Sequence, residues 1–469
     1  MALLFHNTLT KNKQEFQPLH DGKVLMYNCG PTVYNYATIG NFRAFMLADL
    51  LRRYLEYRGF QVTQVMNLTD VGHMTTDADE GEDKMEKAAR EMRKDPWQLA
   101  EFYAQAFFRD IDSLRIARAH VYPRATQHIP EMIALLHKLF DRGHAYIGGD
   151  GSVYYDLNTF PDYGRLSGNT LDKLQAGARI EVNPDKRNPF DFALWKTDPK
   201  HIMQWDSPWG RGFPGWHLEC SAMSMKYLGN TIDIHTGGED NIFPHHECEI
   251  AQSEGATGQT FVRYWLHTRF LLVEGRKMSK SLGNFYTLRD LQEKGYSGVA
   301  MRYLLLTNNY RQPLNFTFDA VEASNEAIKR IRDFLQRMRE ATGEGSNPIV
   351  SDLVSTTRAA FAEALDDDLN ISKAMAAIFD FIRDVNKLDV SREDGQAAHA
   401  AIMDLNRVLD VIETEEETIE DEIERLIKER QEARLAKDFR RSDEIRNTLR
   451  DRGIILEDTP AGVRWKKAT

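Results

Sequence analysis

Short unbroken apolar runs and a helical period take turns along the first part of the chain. Lys23-Val24-Leu25-Met26-Tyr27-Asn28-Cys29 predicts a buried strand, which Gly30-Pro31-Thr32 breaks. After a turn through Thr38-Ile39-Gly40-Asn41, the residues Phe42, Phe45, Met46, Leu50, Tyr54 and Leu55 recur near a 3.6-residue period. That pattern predicts a helix with one apolar face. A second strand is expected at 60–68, which completes a strand–helix–strand crossover. In such units phosphates bind where a strand ends and a helix begins, because the first helical N–H groups are free there. Cys29, Thr32, Thr38, Gly40 and Asn41 occupy that place. Close packing at Gly40 would explain the same junction without any ligand.

Residues 70–94 are polar and charged and read as a loop leading into a helix. The pattern loosens over 122–201, with a helix expected at 129–141, a short strand at 152–156 and a proline-punctuated loop at 183–189. This stretch reads as an insertion between two halves of a nucleotide-binding fold. Core pattern resumes at Trp216 and at 231–236, and a further strand is expected at 270–273. Past Phe316 the composition changes. No proline occurs between Pro348 and Pro460, and Ala, Leu, Ile, Arg and Glu dominate, which predicts a helical bundle over about 319–413. Residues 413–424 carry eight acids and no base, whereas 425–452 carry ten bases against six acids. Ile454-Ile455-Leu456 and Val463-Arg464-Trp465 then read as a small hairpin. A basic helix carrying the aromatic Phe439 suits either a solvated face or contact with unstacked RNA bases.

At 469 residues the chain is long enough for two or more domains. Its net charge of −11 argues against indiscriminate nucleic-acid binding, though not against a local basic face for one structured RNA. No apolar run approaches a membrane span, and the N-terminal residues lack a signal-peptide layout. Three cysteines do not make a disulfide framework, so a cytoplasmic location is expected.

The densest chemistry lies between Pro214 and Ser281. It comprises Gly215-Trp216-His217-Leu218-Glu219-Cys220, then Pro244-His245-His246-Glu247-Cys248-Glu249, then Lys277-Met278-Ser279-Lys280-Ser281. Pro244 suits the first turn of a helix. His245 and Glu249 then share one face at i and i+4, and Cys220 could add a thiolate from another element. Imidazole, carboxylate and thiolate together suit zinc better than magnesium or calcium. An ordinary helix with a buried cysteine and a solvated His–Glu pair fits the same residues. The lysines and serines of 277–281 suit a triphosphate, or simply a solvated basic turn.

These stretches, in this order, resemble cysteinyl-tRNA synthetase, a class I aminoacyl-tRNA synthetase. Cys29-Gly30-Pro31-Thr32-Val33-Tyr34, Gly215 to Met223, Phe243 to Glu247, Lys277 to Ser281 and Leu456 to Gly462 carry the resemblance, which spans essentially the whole chain. It implies an α/β protein: a Rossmann-type nucleotide-binding catalytic domain with an insertion, a helical bundle and a small C-terminal anticodon-binding domain. The boundaries expected are 1–121 and 205–265 for the two catalytic halves, 122–204 for the insertion, 266–318 for the KMSKS loop and stem-contact region, 319–412 for the bundle and 413–469 for the last domain.

The resemblance also implies one zinc on Cys29, Cys220, His245 and Glu249, and Mg²⁺ accompanying ATP. Its two class signatures fall on Thr38 to Asn41 and on Lys277 to Ser281. Thr38, Asn41, Lys277 and Lys280 would be catalytic, with Gly40, Asn41, Lys277, Ser279 and Lys280 binding ATP. Thr32, Trp216 and His235 would contact the amino-acid substrate, and Arg434, Phe439, Asp443 and Asp458 the anticodon. The first signature histidine is Thr38 here and the last is Asn41, neither of which can carry an imidazolium charge. The partners implied are tRNA(Cys), ATP and L-cysteine, with no membrane and a monomeric chain. A cysteine:amino-sugar ligase of the same fold and a non-catalytic tRNA-binding relative are the alternatives.

Overall fold

The computed structural model describes residues 2–469 except 73, 75–81, 178–182, 280–281, 413–414, 436–437, 452–453, 460–461 and 468–469. The described chain divides into two compact units, Met1–Val411 and Ile412–Thr469.

The first unit is organised around a four-stranded parallel sheet. Its spatial order is Val262–Thr268, Ile232–Gly238, Lys23–Asn28, Gln61–Met66, so the first of its strands in chain order, Lys23–Asn28, lies inside the sheet. Burial is nearly continuous along the strand Ile232–Gly238, as expected where helices cover both faces. The expected second strand is shorter than 60–68 because the turn at Gly59 precedes it and Leu68 makes only an isolated bridge to Arg124. Three polar side chains tie the carboxyl ends together inside the core. Gln64 Nε2 donates to Asn28 Oδ1 at 2.7 Å, and Asn28 Nδ2 donates to Thr236 Oγ1 at 2.6 Å. Just beyond, a Cβ on Gly30 would stand 1.7 Å from the Asn67 carbonyl oxygen, so only glycine lets the first strand turn there.

Helix α1 (Ile39–Tyr57) buries each of Phe42, Phe45, Met46, Leu50, Tyr54 and Leu55, the face its period predicts. Helix α2 (Lys84–Met92) starts at the Asp83 cap, and α3 (Pro96–Ser113) at the Asp95 cap with proline in its first turn. Helix α4 (Ile129–Asp141) belongs to the insertion. That segment adds an antiparallel sheet of Ala145–Ile147, Val153–Tyr155, Ala193–Lys196 and Phe213–Pro214. A hairpin at Leu4–Asn7 and Asn12–Glu15 opens the described chain.

Four helices complete this unit: Phe318–Arg339, Pro348–Asp366, Ile371–Val385 and Arg392–Leu409. Their N-cap side chains are Thr317, Asn347, Asn370 and Ser391, each accepting a backbone N–H. A buried ionic knot ties them to α1. Arg302 is fully buried and donates to Asp49 Oδ2 at 2.6 Å, to the Leu409 carbonyl at 2.6 Å and to the Leu114 and Arg115 carbonyls. Arg53 bridges Asp49 and Asp410, and Arg115 also pairs with Asp410, at 2.6 Å.

Among its described residues the second unit has two helices, Glu415–Leu435 and Phe439–Asp451, and the antiparallel hairpin Ile454–Thr459 with Gly462–Lys467. Ile423, Leu426, Ile427, Ile445, Leu449 and Ile454 form its core. Phe439 stays out of that core and is 63% exposed.

No helix among the described residues is long and apolar enough to cross a membrane.

Candidate functional site

A cavity of about 590 Å³ opens at the carboxyl ends of the parallel strands. Cys29, Cys220 and His245 line it at one end, and Thr38, Gly40, Asn41, Lys277 and Met278 line it at the other.

Four elements deliver the metal candidates. Cys29 follows the first strand, Cys220 lies in the helix Trp216–Leu228, His245 in a short π-turn at Ile242–His246, and Glu249 in the helix Glu247–Thr257. The regular helix therefore begins after Pro244 rather than at it, because Phe243 keeps an extended backbone at φ −139° and ψ 132°. The i, i+4 pairing survives this change: His245 Nε2 lies 3.0 Å from Glu249 Oε1. One ligand atom from each of Cys29, Cys220, His245 and Glu249 lies within 4.8 Å of all the others.

A second group, Cys29, His235, His246 and Glu249, meets the same limit. Its histidines do not line the cavity. His235 Nε2 holds Glu249 Oε2 at 3.0 Å from behind, and His246 Nε2 lies 3.1 Å from Cys29 Sγ. His246 Nδ1 meets His267 Nε2 at 2.7 Å, and His267 Nδ1 meets Thr8 Oγ1 at 2.8 Å. On the other side His217 Nδ1 lies 2.9 Å from His245 Nδ1, which turns Nε2 of His245 toward Glu249. Trp216 stacks on His245 with ring centroids 4.2 Å apart. The third cysteine, Cys248, is in neither group and lies 3.5 Å from Tyr163 Oη.

Electrostatics at the tetrad favour a cation. The Cys29 hydrogen bond, helped by His245 and opposed by burial, brings the Cys220 thiol down to about 6. Burial works against the charged form of His245, yet Cys220 and Glu249 push it up to about 10. Burial also opposes ionisation of Glu249, and His235 and His245 outweigh it to hold that carboxyl near 2. Around them His217 and His246 are held well below the usual imidazole range, chiefly by burial. Among these acceptors His245 itself holds the positive charge. Zinc binds thiolate, carboxylate and neutral imidazole, so the donor set fits that ion, whose binding would displace the His245 proton.

At the far end of the cavity Thr38 caps α1. Its Oγ1 accepts from Asn41 N at 3.3 Å and donates to Asn41 Oδ1 at 2.8 Å, and Asn41 Oδ1 also accepts from Thr38 N at 2.9 Å. This closed capping box uses the threonine hydroxyl locally and leaves the Asn41 amide NH₂ as the donor to offer. A Cβ on Gly40 would stand 3.1 Å from the Met278 methyl, so close packing does operate there, and it is packing by the second signature loop. Asn284 shapes that loop, accepting from Ser279 N at 2.9 Å and donating to the Lys277 carbonyl at 3.2 Å. Lys280 and Ser281 lie outside the described residues. Ser279 does not line the cavity, whereas Thr32 and Trp216 do.

Family models match the chain in three stretches. They are the class I (C) tRNA synthetase catalytic domain over residues 15–326, the DALR domain over 360–413, and the cysteinyl-tRNA ligase anticodon binding domain over 417–465. The cysteine–tRNA ligase of Symbiobacterium thermophilum is 46% identical, with 100% of each chain covered. That of Chlorobaculum tepidum is 44% identical over 99% of each chain.

The chain belongs to the cysteine–tRNA ligase family.

Among solved structures, a methionyl-tRNA synthetase of Mycobacterium tuberculosis in complex with methionyl-adenylate aligns with a TM-score of 0.59 at 15% identity. The alignment covers 83% of this chain and 90% of that one, and the likeness is one of fold. Within the family's matched anticodon-binding region, Phe439 and Asp443 are exposed, while the Asp458 side chain lies outside the description. Arg434, near the end of the preceding helix, is exposed as well. Sequence reasoning missed His217, His246 and His267. His217 and His246 stand inside the motifs, beside the ligand candidates, and His267 stands alone in its strand; only the imidazole-to-imidazole contacts reveal them as supports of the tetrad.

Proposed function

We propose that this chain is a working cysteine–tRNA ligase, a monomer of the cytoplasm. The observation that carries the reading is that Cys29, Cys220 and His245 of the tetrad line one cavity together with Thr38, Gly40, Asn41, Lys277 and Met278 of the two signatures. In the first step the cysteine carboxylate attacks the α-phosphate of ATP, forming cysteinyl-adenylate and releasing pyrophosphate. In the second, a terminal ribose hydroxyl of the tRNA attacks the activated carbonyl and AMP leaves.

Negative charge grows on the phosphates in the first step, so fixed donors and cations aimed there lower the barrier most. We assign that work to the N-terminal N–H groups of α1, the Asn41 amide, Lys277 and Lys280, with Gly40 and Ser279 shaping the nucleotide seat and Mg²⁺ arriving with ATP. Thr38 holds Asn41 rather than touching phosphate itself. Thr32 and Trp216 flank the amino acid, and His235 fixes Glu249. Zinc bound on the tetrad would supply a soft acid for the substrate thiolate, which the hydroxyl of serine does not match. Arg434, Phe439, Asp443 and Asp458 read the anticodon, Phe439 by stacking and the carboxylates by accepting base N–H groups.

The deciding measurement is cysteine-dependent ATP–pyrophosphate exchange followed by charging of tRNA(Cys). Exchange without charging, or charging of an amino sugar instead, would displace the reading. Within it, Asn41→Asp keeps the oxygen that the capping box needs and replaces the amide donor with a negative oxygen. Adenylate formation in that variant is expected to slow about 10²- to 10³-fold at unchanged thermal stability. Unchanged single-turnover adenylation would remove Asn41 from the phosphates. Deleting 412–469 is expected to spare exchange and to lower charging by at least the roughly 5- to 150-fold that one stacked base is worth. Equal charging by both proteins would leave the second unit without an RNA role.

A further inference from the structure

An aromatic ledge runs out of the cavity on the side of α1's first turn. Tyr36, two residues before Thr38, lines the cavity. Its ring meets Phe102 edge-on at 6.1 Å and Tyr103 at 5.1 Å, and Phe102 and Tyr103 meet each other at 5.2 Å. Tyr103 is buried beneath, whereas Phe102 is 37% exposed. Two cations flank the rings. Lys94 Nζ lies 4.7 Å from the Phe102 ring centroid, and the Arg289 guanidinium lies 4.7 Å from that of Tyr36. Arg289 is fixed from α3 by Asp110 at 2.9 Å and by the Ala106 carbonyl at 3.2 Å.

A single exposed phenylalanine is ordinary and needs no explanation. Here the exposed ring continues without a break into the wall of the cavity, and each of the two outer rings carries its own cation. That pairing of π-faces with positive charge is what single-stranded nucleic acid recognises, through base stacking and phosphate attraction together. The reaction also needs such a strand to arrive at this mouth, since the accepting hydroxyl belongs to the last ribose of an unpaired end.

We infer that the Tyr36–Phe102 ledge, with Lys94 and Arg289, is the seat on which the unpaired 3′-terminal nucleotides of the tRNA stack as the terminal ribose enters the cavity. The inference rests on the ligase reading above. Stacking places the hydroxyl, Lys94 offers charge to a neighbouring phosphate, and Asp110 is a positioning residue that acts through Arg289.

The test uses the full-length enzyme and a tRNA carrying 2-aminopurine at its 3′ end. Binding to the wild type is expected to quench the probe, and Phe102→Ala to abolish most of that quenching. In the same variant pyrophosphate exchange stays within about twofold, while single-turnover transfer from preformed adenylate slows about 5- to 100-fold. Phe102→Trp restores both signals, and Lys94→Ala raises KM for tRNA with a shallower salt dependence. Unchanged quenching and transfer in Phe102→Ala would overturn the inference, as would a parallel fall in exchange, which would make the ledge a seat for the adenine of ATP. A wild-type protein that exchanges but never charges tRNA would instead overturn the ligase reading.

Discussion

Cys220→Ser is expected to strip the tetrad of zinc and to cut cysteine-dependent pyrophosphate exchange by about 10⁴-fold, the scale on which a site built around one polar group loses its partner. Cys220 is the buried thiol that its neighbours bring down toward the thiolate, and a serine hydroxyl is neither soft nor ionised at neutral pH. What remains is Cys29, His245 and Glu249, with the Cys29 thiol pushed well up by burial first and by Cys220 second. The variant needs a reading that does not depend on activity, and elemental analysis of dialysed protein supplies it: about one zinc per chain in the wild type and little in Cys220→Ser. Cys248→Ser, at the thiol beside Tyr163, should keep its metal and serves as the control. Full zinc in Cys220→Ser would remove that residue from the ligand set.

Arg302→Met is expected to destabilise the first unit by about 3–5 kcal/mol, the usual cost of leaving one partner of a buried pair uncompensated. The charge abandoned would be Asp49, which like Arg302 has a fully buried side chain. Arg53, at 3.0 Å and partly exposed, covers only part of the loss. The orphaned Leu409, Leu114 and Arg115 carbonyls add to it. Asp49→Asn combined with Arg302→Met should cost less than the sum of the single changes, since each alone strands the other. Urea unfolding followed by tryptophan fluorescence measures this, and a loss under about 1 kcal/mol for Arg302→Met would show the knot to be replaceable.

The same knot gives a pH signature. Burial raises the Asp49 carboxyl, but Arg302, Arg53 and the Ala117 N–H outweigh it and hold the group below its ordinary value. A carboxyl lowered by folding adds stability that is complete above its unfolded value, near pH 4, and is lost as the pH falls through the folded one. Asp49→Asn should therefore flatten the acid limb of the stability curve.

Much of this was readable in the residues, and what was not has physical causes. Phe42 to Leu55 announce α1 because a helix packed on a sheet must be apolar on one side. Thr317, Asn347, Asn370 and Ser391 announce the bundle helices, since the first N–H groups of a helix need an acceptor. Asp95-Pro96 carries the same kind of signal for α3, just past the polar residues 70–94. The hairpin Leu4–Asn7 with Asn12–Glu15 is too short to stand out by alternation. Arg302 and Asp49 are 253 positions apart, so no local pattern could pair them. Cys29 was tied to Cys220, His245 and Glu249 by family resemblance alone, because nothing in its own segment marks it as a ligand.

Thr38 and Asn41 give the proposed nucleotide end of the cavity a property that a histidine signature would lack. Imidazole gains and loses its charge between about pH 5 and 8, whereas a hydroxyl and an amide do not titrate there at all. With Thr38 locked onto Asn41 at 2.8 Å, this rim would offer phosphate the partial charge of a helix start, a neutral amide and lysine. None of these changes as a cell acidifies by a unit or two. On the proposed reading the first turn of α1 thus presents the same charge to ATP on either side of neutrality, and acid sensitivity at this rim would originate with the nucleotide's own terminal phosphate rather than with the protein.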